Sequence, residues 1–257
     1  MFDEMRQILR LMPFWTTFAW EDIKTTYRRT IFGAAWITVV FLVMLGVKFV
    51  IFGNTSIRAG DDSNFVAYLT IGFLIWTFIS NVLSSSNCLL QFENWIKNDT
   101  IPIAGFPIIV LLRCLFNFAF TLMAALIVLF IDGVSFYPAM WSVVPALLMT
   151  LFASYFVILL FAVIGLRFRD FTQIVTAYVR AAIFLTPIFW YPENMGAMMK
   201  YLWWNPVSHF LWIVRDPIVD GTIPVDSWIY CSALTFIVTI MALLVYRFNK
   251  YRLIYWF

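Results

Sequence analysis

The amino-acid sequence predicts an all-α membrane protein with six transmembrane helices, cytoplasmic N- and C-termini and an amphipathic helix at its N-terminus. Hydrophobic residues make up 63% of the chain and charged residues 12%, whereas soluble domains carry about 25% charged residues. Six apolar runs approach the length of about 20 residues that a helix needs to cross the hydrocarbon core. Lysine and arginine are concentrated in the segments that this layout leaves on one side of the membrane.

The first 30 residues are predicted to form a unit at the membrane surface. Apolar residues recur at helical spacing from Phe2 to Met12 opposite a charged face, Pro13 interrupts the pattern, and Trp15 and Trp20 then resume it. Such an amphipathic segment with tryptophans is typical of a helix in the plane of the cytoplasmic interface. The alternative is a soluble amphipathic helix that packs on a partner.

The remaining residues, 31–257, are predicted to form a six-span membrane domain. Its spans are 31–52, 65–90, 108–131, 143–166, 174–190 and 227–246. A further apolar run, Leu202–Val214, is too short to cross the membrane and contains Pro206 and His209, so we do not count it as a span.

Positive charge orients the spans, because lysine and arginine accumulate in cytoplasmic loops. With the N-terminus inside, eleven of these residues lie in cytoplasmic segments and only Arg58, Lys200 and Arg215 in outer segments. Three more lie within spans: Lys48, Arg113 and Arg180. Lys48 and Arg113 are near span ends, where long side chains reach the interface, and Arg180 either does the same or faces a polar interior.

Catalytic and nucleotide-binding motifs are missing from the sequence. It has no G-x-x-x-x-G-K-[ST] loop, no H-E-x-x-H and no G-x-S-x-G, so a nucleotide site of that kind and the corresponding hydrolases are excluded. The single histidine, His209, is expected to make a structural hydrogen bond. No metal site or cofactor is expected in this chain, and the net charge of +3 gives no indication of nucleic-acid binding.

Two polar stretches interrupt the apolar pattern on the cytoplasmic side. In the second span Asn81, Ser84, Ser85 and Cys88 share one helical face, which favours close helix packing over the alternative of a hydrated path. The cytoplasmic element 91–105 follows that span. Its central residues mix charged and apolar side chains and predict a docking site for another protein rather than a solvated loop: Glu93, Trp95, Ile96 and Lys97.

Prolines divide the outer segment that follows the fifth span. Pro187 removes a backbone hydrogen bond near the end of that span, and Pro192 and Pro206 limit the following helices to short pieces. Irregular backbone at membrane depth is tolerated only where protein or a water-filled cavity surrounds it. We therefore expect this segment to face a protein interior rather than lipid.

Several of these segments resemble the membrane subunits of ABC-2 type polysaccharide exporters, the O-antigen and teichoic-acid export permeases. The resemblance runs along nearly the whole chain in the family's order, with departures at Thr30, Phe32 and Ile103. It is carried by YRRTIFGAAW at Tyr27–Trp36, by Pro102 and Pro107, by Arg169-Asp170, by TPIFWYP at Thr186–Pro192, and by NPVSHF at Asn205–Phe210 with Arg215.

The resemblance implies a homodimer of six-span subunits in the bacterial inner membrane that binds two copies of a cytoplasmic ABC ATPase. ATP and Mg²⁺ would be bound by that ATPase, and residues 91–105 would be the coupling helix in its cleft. The exported substrate would be a polysaccharide on a polyprenyl pyrophosphate lipid. The outer segment 191–220 would form re-entrant helices at an exit gate, for which the expected residues are Pro187, Trp190, Pro192, Pro206 and Phe210.

Two further sets of residues are candidates within this framework. Aromatic rings stack on the C–H faces of sugars, so a subset of spans one, two and five could line the substrate path: Trp36, Phe73, Trp76, Phe184, Phe189 and Tyr191. Lipid-facing belt residues are the alternative for each. Arg28 and Arg29 at the cytoplasmic end of the first span suit a pyrophosphate head group, and a positive-inside signal alone is the alternative.

Three other functions remain open from the sequence. They are an ABC-2 permease for a drug or simple lipid, a membrane-bound enzyme that acts on a polyprenyl lipid, and a membrane scaffold that transports nothing. Clustered acids or histidines, which such an enzyme would need at one membrane face, are not found, and a scaffold gives no reason for a coupling element.

Overall fold

A computed structural model describes residues 2–28, 32–57, 65–98, 101–134, 137–191 and 202–257. Every regular element in these ranges is helical, which confirms the all-α prediction for them. The α-helices are α1 (Phe2–Arg10), α2 (Met12–Tyr27), α3 (Ala35–Ile57), α4 (Phe65–Leu83), α5 (Cys88–Gln91), α6 (Glu93–Asn98), α7 (Phe106–Asp132), α8 (Val143–Arg167), α9 (Asp170–Leu185), α10 (Pro206–Val219) and α11 (Val225–Asn249). Short 3₁₀ helices lie at Ser84–Asn87, Ile103–Gly105, Pro138–Ser142 and Leu253–Trp256.

Four helical stretches of the described residues are long and apolar enough to cross a membrane. They are Phe65–Gln91, Ile103–Asp132, Pro138–Arg167 and Val225–Asn249, and they contain the second, third, fourth and sixth predicted spans. The first predicted span corresponds to α3, of which Ala35–Ile51 is a shorter apolar helix. The fifth corresponds to α9, whose 16 residues extend about 24 Å, less than a hydrocarbon core of about 30 Å. The full six-span layout stays a prediction.

Helix α4 lies at the centre of the bundle. Its first half is almost entirely buried, with Leu69, Ile71 and Ile75 inaccessible to solvent, because α3, α7 and α10 pack around it. Helix α8 packs along α11 and also contacts α4 and α7. The bundle leaves large apolar side chains of α3 and α11 exposed, such as Val50 and Phe236, and exposed apolar surface of this extent marks contact with lipid or another subunit.

The N-terminal helices pack on the same chain. Trp15 of α2 is fully buried, its ring lies edge-on to Phe106 with 5.7 Å between centroids, and its Nε1 donates a 3.2 Å hydrogen bond to the Ile8 carbonyl oxygen. Gly105 permits this approach, since a Cβ atom there would clash with the Trp15 ring. Trp20, in contrast, is exposed and remains available to the predicted membrane interface.

Two ion pairs add to this attachment. The Arg113 Nε of α7 lies 2.8 Å from an Asp22 carboxylate oxygen of α2, and the Lys250 Nζ lies 2.5 Å from a Glu4 carboxylate oxygen of α1. Both ends of the chain are therefore joined to the cytoplasmic end of the predicted bundle.

Helix α4 ends at the polar stretch noted in the sequence. Ser85 leaves the helical conformation, with φ −84° and ψ 19°, and the chain continues through a 3₁₀ turn into α5. Gly165 of α8 lies against this turn, since a Cβ atom at Gly165 would clash with the Ser86 carbonyl oxygen. This part of the polar stretch thus packs closely on a neighbouring helix, whereas Asn81 lies on a cavity.

Candidate functional site

A groove of about 380 Å³ lies between α3, α4 and α7. Helix α3 contributes Trp36, Val40 and Met44, which are four residues apart and so share one helical face. Helix α4 contributes Phe73, whose ring is stacked on that of Phe41 with centroids 5.2 Å apart and an interplanar angle of 19°. Two of the aromatic residues predicted for the substrate path, Trp36 and Phe73, therefore line one cavity.

Polar side chains from α4 and α7 line the same groove: Thr77, Asn81, Asn117 and Thr121. The two threonine hydroxyls donate to carbonyl oxygens of their own helices, over 2.7 Å for Thr77 and 3.0–3.1 Å for Thr121. Within the described part of the chain, the side-chain amides of Asn81 and Asn117 make no hydrogen bond. Each amide supplies two donors and one acceptor, so the groove offers free polar groups between aromatic walls.

Lys48 lies one helical turn beyond Met44 on the groove-facing side of α3. Its Nζ is 4.4 Å from the ring centre of Phe73 and 3.8 Å from the ring centre of Phe189. Both distances are typical of cation–π contacts. Phe73 thus connects the groove to the proline-containing segment that follows α9.

That segment folds back into the bundle. Helix α9 ends at Leu185, two residues before Pro187, and Thr186–Tyr191 forms no regular helix. A Cβ atom at Gly72 of α4 would lie 3.5 Å from Ile188, and Gly72 is about 10 Å along the helix axis from the first residue of α4. Irregular backbone therefore lies well inside the helix bundle.

Two side chains satisfy the carbonyl groups that the break leaves free. The Tyr68 hydroxyl lies 3.1 Å from the Pro187 carbonyl oxygen and 2.9 Å from that of Trp190, and it shares its proton between them. The Arg215 Nη1 donates to the Pro187 oxygen over 2.7 Å, and its guanidinium carbon lies 3.8 Å from the Tyr68 ring centre. Buried backbone carbonyls require such partners, so these contacts make the break tolerable.

Asn205 joins the end of α9 to the start of α10. Its Oδ1 accepts a 3.0 Å hydrogen bond from the Val207 N–H, which is the usual N-cap contact. Its Nδ2 donates to the Thr186 hydroxyl over 3.1 Å and lies 3.3 Å from the Leu185 carbonyl oxygen. One side chain therefore fixes the two helix ends across the break.

His209 is held in one neutral tautomer. Its Nε2 lies 3.0 Å from the Trp203 carbonyl oxygen, which can only accept, so Nε2 carries the proton. Nδ1 then accepts from the Ser227 hydroxyl over 3.1 Å. Burial lowers the pKa of His209, although the Trp203 hydrogen bond acts in the opposite direction. The structural role expected from the sequence is confirmed.

Asp216 lies beside the buried arginine of the same helix. Its Oδ1 is 3.5 Å from the Arg215 Nε. Burial raises the pKa of Asp216 to about 6, and Asp220 adds to the increase while the Arg215 charge opposes it. The C-terminal part of α10 therefore carries a carboxylate that gains a proton in mildly acidic solution.

The other aromatic residues predicted for the substrate path lie outside the groove. Trp76 is only 4% exposed and belongs to the core, Phe189 is buried beneath the Lys48 ammonium, and Tyr191 packs on Tyr68 with 4.3 Å between ring centroids. Phe184 is 69% exposed on α9. The structure thus brings together Trp36 and Phe73 and links Phe189 to them through Lys48.

The residues predicted for an exit gate fall into two places. Pro187 and Trp190 lie in the broken segment beside Tyr68, whereas Pro206 and Phe210 line a separate apolar cavity of about 220 Å³ between α4, α8, α10 and α11. Pro192 lies outside the described residues.

The predicted coupling residues form the short helix α6. Trp95 is 41% exposed and its ring lies edge-on to Phe18 of α2, with 5.4 Å between centroids, whereas Ile96 is buried. Glu93 and Lys97 form an exposed ion pair of 2.6 Å on this helix.

The predicted head-group arginines lie at the end of α2. Arg28 is exposed there, and Arg29 lies outside the described residues.

Sequence reasoning missed the residues that hold the broken segment in place. Tyr68 stands in an apolar run, where a tyrosine looks like any belt aromatic, and its partner Pro187 is 119 positions away. Asn117 lies between Phe116 and Phe118 in α7 and belongs to no motif. The one usable signal was an asparagine inside a span, where a polar side chain marks either helix packing or a polar path.

Comparison with known proteins extends this description. The profile of the family described as "ABC-2 type transporter" matches residues 14–219, a range that contains the groove and the broken segment. Two curated proteins from Klebsiella pneumoniae, both named "O-antigen export system permease protein RfbA", are 23% and 22% identical to this chain over 245 and 244 residues. Each alignment covers 90% of this chain and 90% of the relative.

Proposed function

The chain belongs to the ABC-2 type transporter family, and on this basis we propose that it is the membrane subunit of an ATP-driven polysaccharide exporter. It is a multi-pass membrane transporter and not an enzyme. The proposed substrate is an O-antigen or similar cell-surface glycan on polyprenyl pyrophosphate, moved across the bacterial inner membrane. The observation that carries the substrate class is the similarity to two O-antigen export permeases along 90% of the chain.

The chemistry of the groove supports a sugar substrate over a drug or a simple lipid. Aromatic rings of Trp36 and Phe73 can stack on the C–H faces of a sugar, and the free amides of Asn81 and Asn117 can exchange hydrogen bonds with its hydroxyls. A lipid tail would leave both amides without partners, and unmade hydrogen bonds of buried amides are costly. We therefore place the sugar path along α3, α4 and α7.

An ABC-2 permease works with an ABC ATPase, and the exposed part of α6 supports docking there. Trp95, Glu93 and Lys97 present exposed groups, and buried Ile96 anchors the helix. We propose that two ATPase copies, which bind ATP and Mg²⁺, engage this helix in each half of a homodimer. The exposed apolar face of α3, with Val43 and Val50, supports contact with a second copy of the chain.

The two ends of the path have further proposed roles. Arg28 and Arg29 would bind the pyrophosphate head group at the cytoplasmic end, because guanidinium groups pair well with phosphate oxygens. The broken segment would form the exit gate together with α10. Backbone that folds back about 10 Å into the bundle and is hydrogen-bonded by Tyr68 and Arg215 supports a re-entrant arrangement in that region.

Loss of the chain in its native host tests the proposal. We expect a deletion strain to lose surface polysaccharide and to accumulate polymer on its polyprenyl carrier inside the cell, with export restored by the wild-type chain. Trp36→Ala should restore less export than wild type at equal membrane levels, whereas Phe184→Ala, outside the groove, should restore it fully. Normal surface polysaccharide together with a lipid or drug transport defect would favour the other ABC-2 substrates.

A further inference from the structure

We propose that Lys48 forms, at the outer end of the groove, a binding position for an acidic group of the exported polymer, either a carboxylate or a phosphodiester. The permease would then select an anionic glycan. This inference rests on the proposed function, because it takes the groove as the site that holds the sugar chain.

The position of Lys48 along α3 places it on the sugar path. Phe41 and Met44 line the groove, and Lys48 lies seven and four residues after them, so the three share one face of the helix. The Cα atoms of Trp36 and Lys48 are about 18 Å apart along the helix axis. A polymer that follows the groove from Trp36 would therefore pass the ammonium group on its way outward.

The surroundings of Lys48 hold the cation without neutralising it. Its Nζ lies over the rings of Phe73 and Phe189, and Phe73 itself lines the groove. Among the residues that the structure describes, Lys48 forms no ion pair, whereas Arg113 pairs with Asp22 and Arg215 with Asp216.

An acidic group on the sugar supplies the counter-charge that Lys48 lacks among the described residues. The rings attract the charge through their π faces, but only an anion or a hydrogen-bond acceptor satisfies the three N–H donors of an ammonium group. The side chain is half-buried, so a charge pair there is screened less than at an open surface. A neutral sugar could offer hydroxyl oxygens as acceptors but no charge, so it would leave the ammonium without an ion pair.

The polar groups already described complete the arrangement. Asn81 and Asn117 face the groove toward its cytoplasmic side, and Lys48 lies toward its outer end, with Phe73 between them. Sugar hydroxyls would be recognised by the amides, and the acidic substituent by the ammonium. Lys48 is therefore proposed as a specificity-determining residue and not as part of the packing of α3 alone.

Binding to matched oligosaccharides tests this assignment. The full chain, purified in lipid nanodiscs, would be titrated with hexagalacturonate, with its methyl ester, which has the same sugars without the charges, and with a glycerol-phosphate oligomer. We expect wild type to bind both acidic oligomers more tightly than the ester, with an affinity that falls as salt is added. Lys48→Met should weaken acidic binding about tenfold, a change of about 1.4 kcal/mol, and leave the ester unchanged, while Lys48→Arg should retain it.

One control variant and three outcomes decide the result. Lys24→Met removes an exposed charge on α2 that is not part of the groove lining and should leave all affinities unchanged. Equal effects of Lys48→Met on the acidic oligomers and on the ester would overturn the acidic position and make Lys48 a structural residue. Ester binding that Trp36→Ala weakens, together with acidic binding that Lys48→Met leaves unchanged, would overturn this inference alone. No binding of any oligosaccharide by wild type would overturn the sugar groove and this inference together.

Discussion

The guanidinium of Arg215 donates a 2.7 Å hydrogen bond to the carbonyl oxygen of Pro187, although the two residues lie 28 positions apart in the chain. Arg215 is 3% exposed, and a buried arginine is costly unless its donors are satisfied. Here the guanidinium meets a carbonyl that has lost its helical partner, the face of the Tyr68 ring and the carboxylate of Asp216. The contact explains how a proline-broken segment can lie inside an apolar helix bundle.

Arg215→Met should destabilise the protein by about 1.5–3 kcal/mol, the usual contribution of a buried hydrogen bond to a charged group. The expected result is a lower thermal midpoint in detergent, measured by size-exclusion chromatography with detection of protein fluorescence. Because Tyr68 serves the same carbonyl, Tyr68→Phe and Arg215→Met should not be additive. The exposed Arg247→Met is the matched control and should change the midpoint little. Additive effects would show that the two side chains act separately.

Gly105→Ala should separate α2 from the start of α7. The added methyl group would clash with the Trp15 ring, and overpacking of this kind costs about 1–3 kcal/mol. Thermal unfolding of the purified protein measures the loss, and a smaller ring at the second position, Trp15→Leu, should recover part of it in the double variant. Gly46→Ala is the matched control, since a Cβ atom there meets nothing within 4 Å.

Stability should fall as pH rises through the titration of Asp216. Burial raises its pKa in the folded protein to about 6, above the value of about 3.9 in an unfolded chain. The folded state therefore binds more protons than the unfolded state between these values, and stability decreases from about pH 4 to about pH 6. Thermal midpoints measured across this range should show the decrease in wild type and lose it in Asp216→Asn. An equal slope in both proteins would assign the effect to another group.

Trp95→Ala should weaken attachment of the ATPase without unfolding the permease. Trp95 is exposed on α6, whereas its neighbour Ile96 is buried, so the two substitutions separate docking from stability. We expect Trp95→Ala to reduce co-purification of the ATPase about tenfold at an unchanged thermal midpoint, as loss of an exposed aromatic anchor can do. Ile96→Ala should lower the midpoint, because truncation of a buried isoleucine costs about 2–5 kcal/mol of stability. Trp204→Ala, exposed at the other end of the bundle, should change neither property.

Much of the helical framework could be predicted from the sequence. Runs such as 143–166 predict a helix that the structure gives as Val143–Arg167, because a long apolar stretch has no other way to satisfy its backbone in a membrane. Its one proline, Pro145, lies in the first helical turn, where proline is tolerated. Proline likewise predicts where a regular helix ends, and α9 ends two residues before Pro187. The second span, predicted as 65–90, matches the stretch Phe65–Gln91. Its interruption by the 3₁₀ turn at Ser84–Asn87 is not predicted, because this turn depends on the close approach of Gly165.

The candidate site was predicted only in part. The sequence predicts Trp36 and Phe73 as aromatic path residues of the first two spans, and both lie in one groove. The same reasoning predicts Trp76, which is buried in the core. Aromatic residues of a span can face lipid, a groove or the core, and an apolar helix that lacks a polar face carries no periodicity to distinguish these positions.

The sequence by itself determined the class of protein, the helical segments and the positions where proline must interrupt them. These follow from local chemistry, namely apolar length, charge distribution and the missing N–H of proline. Only the tertiary structure decided which side chains come together: Tyr68 and Arg215 at Pro187, Asn81 and Asn117 in one groove, and Lys48 at the rings of Phe73 and Phe189. Such contacts join distant parts of the chain, and they depend on how each helix is rotated in the bundle.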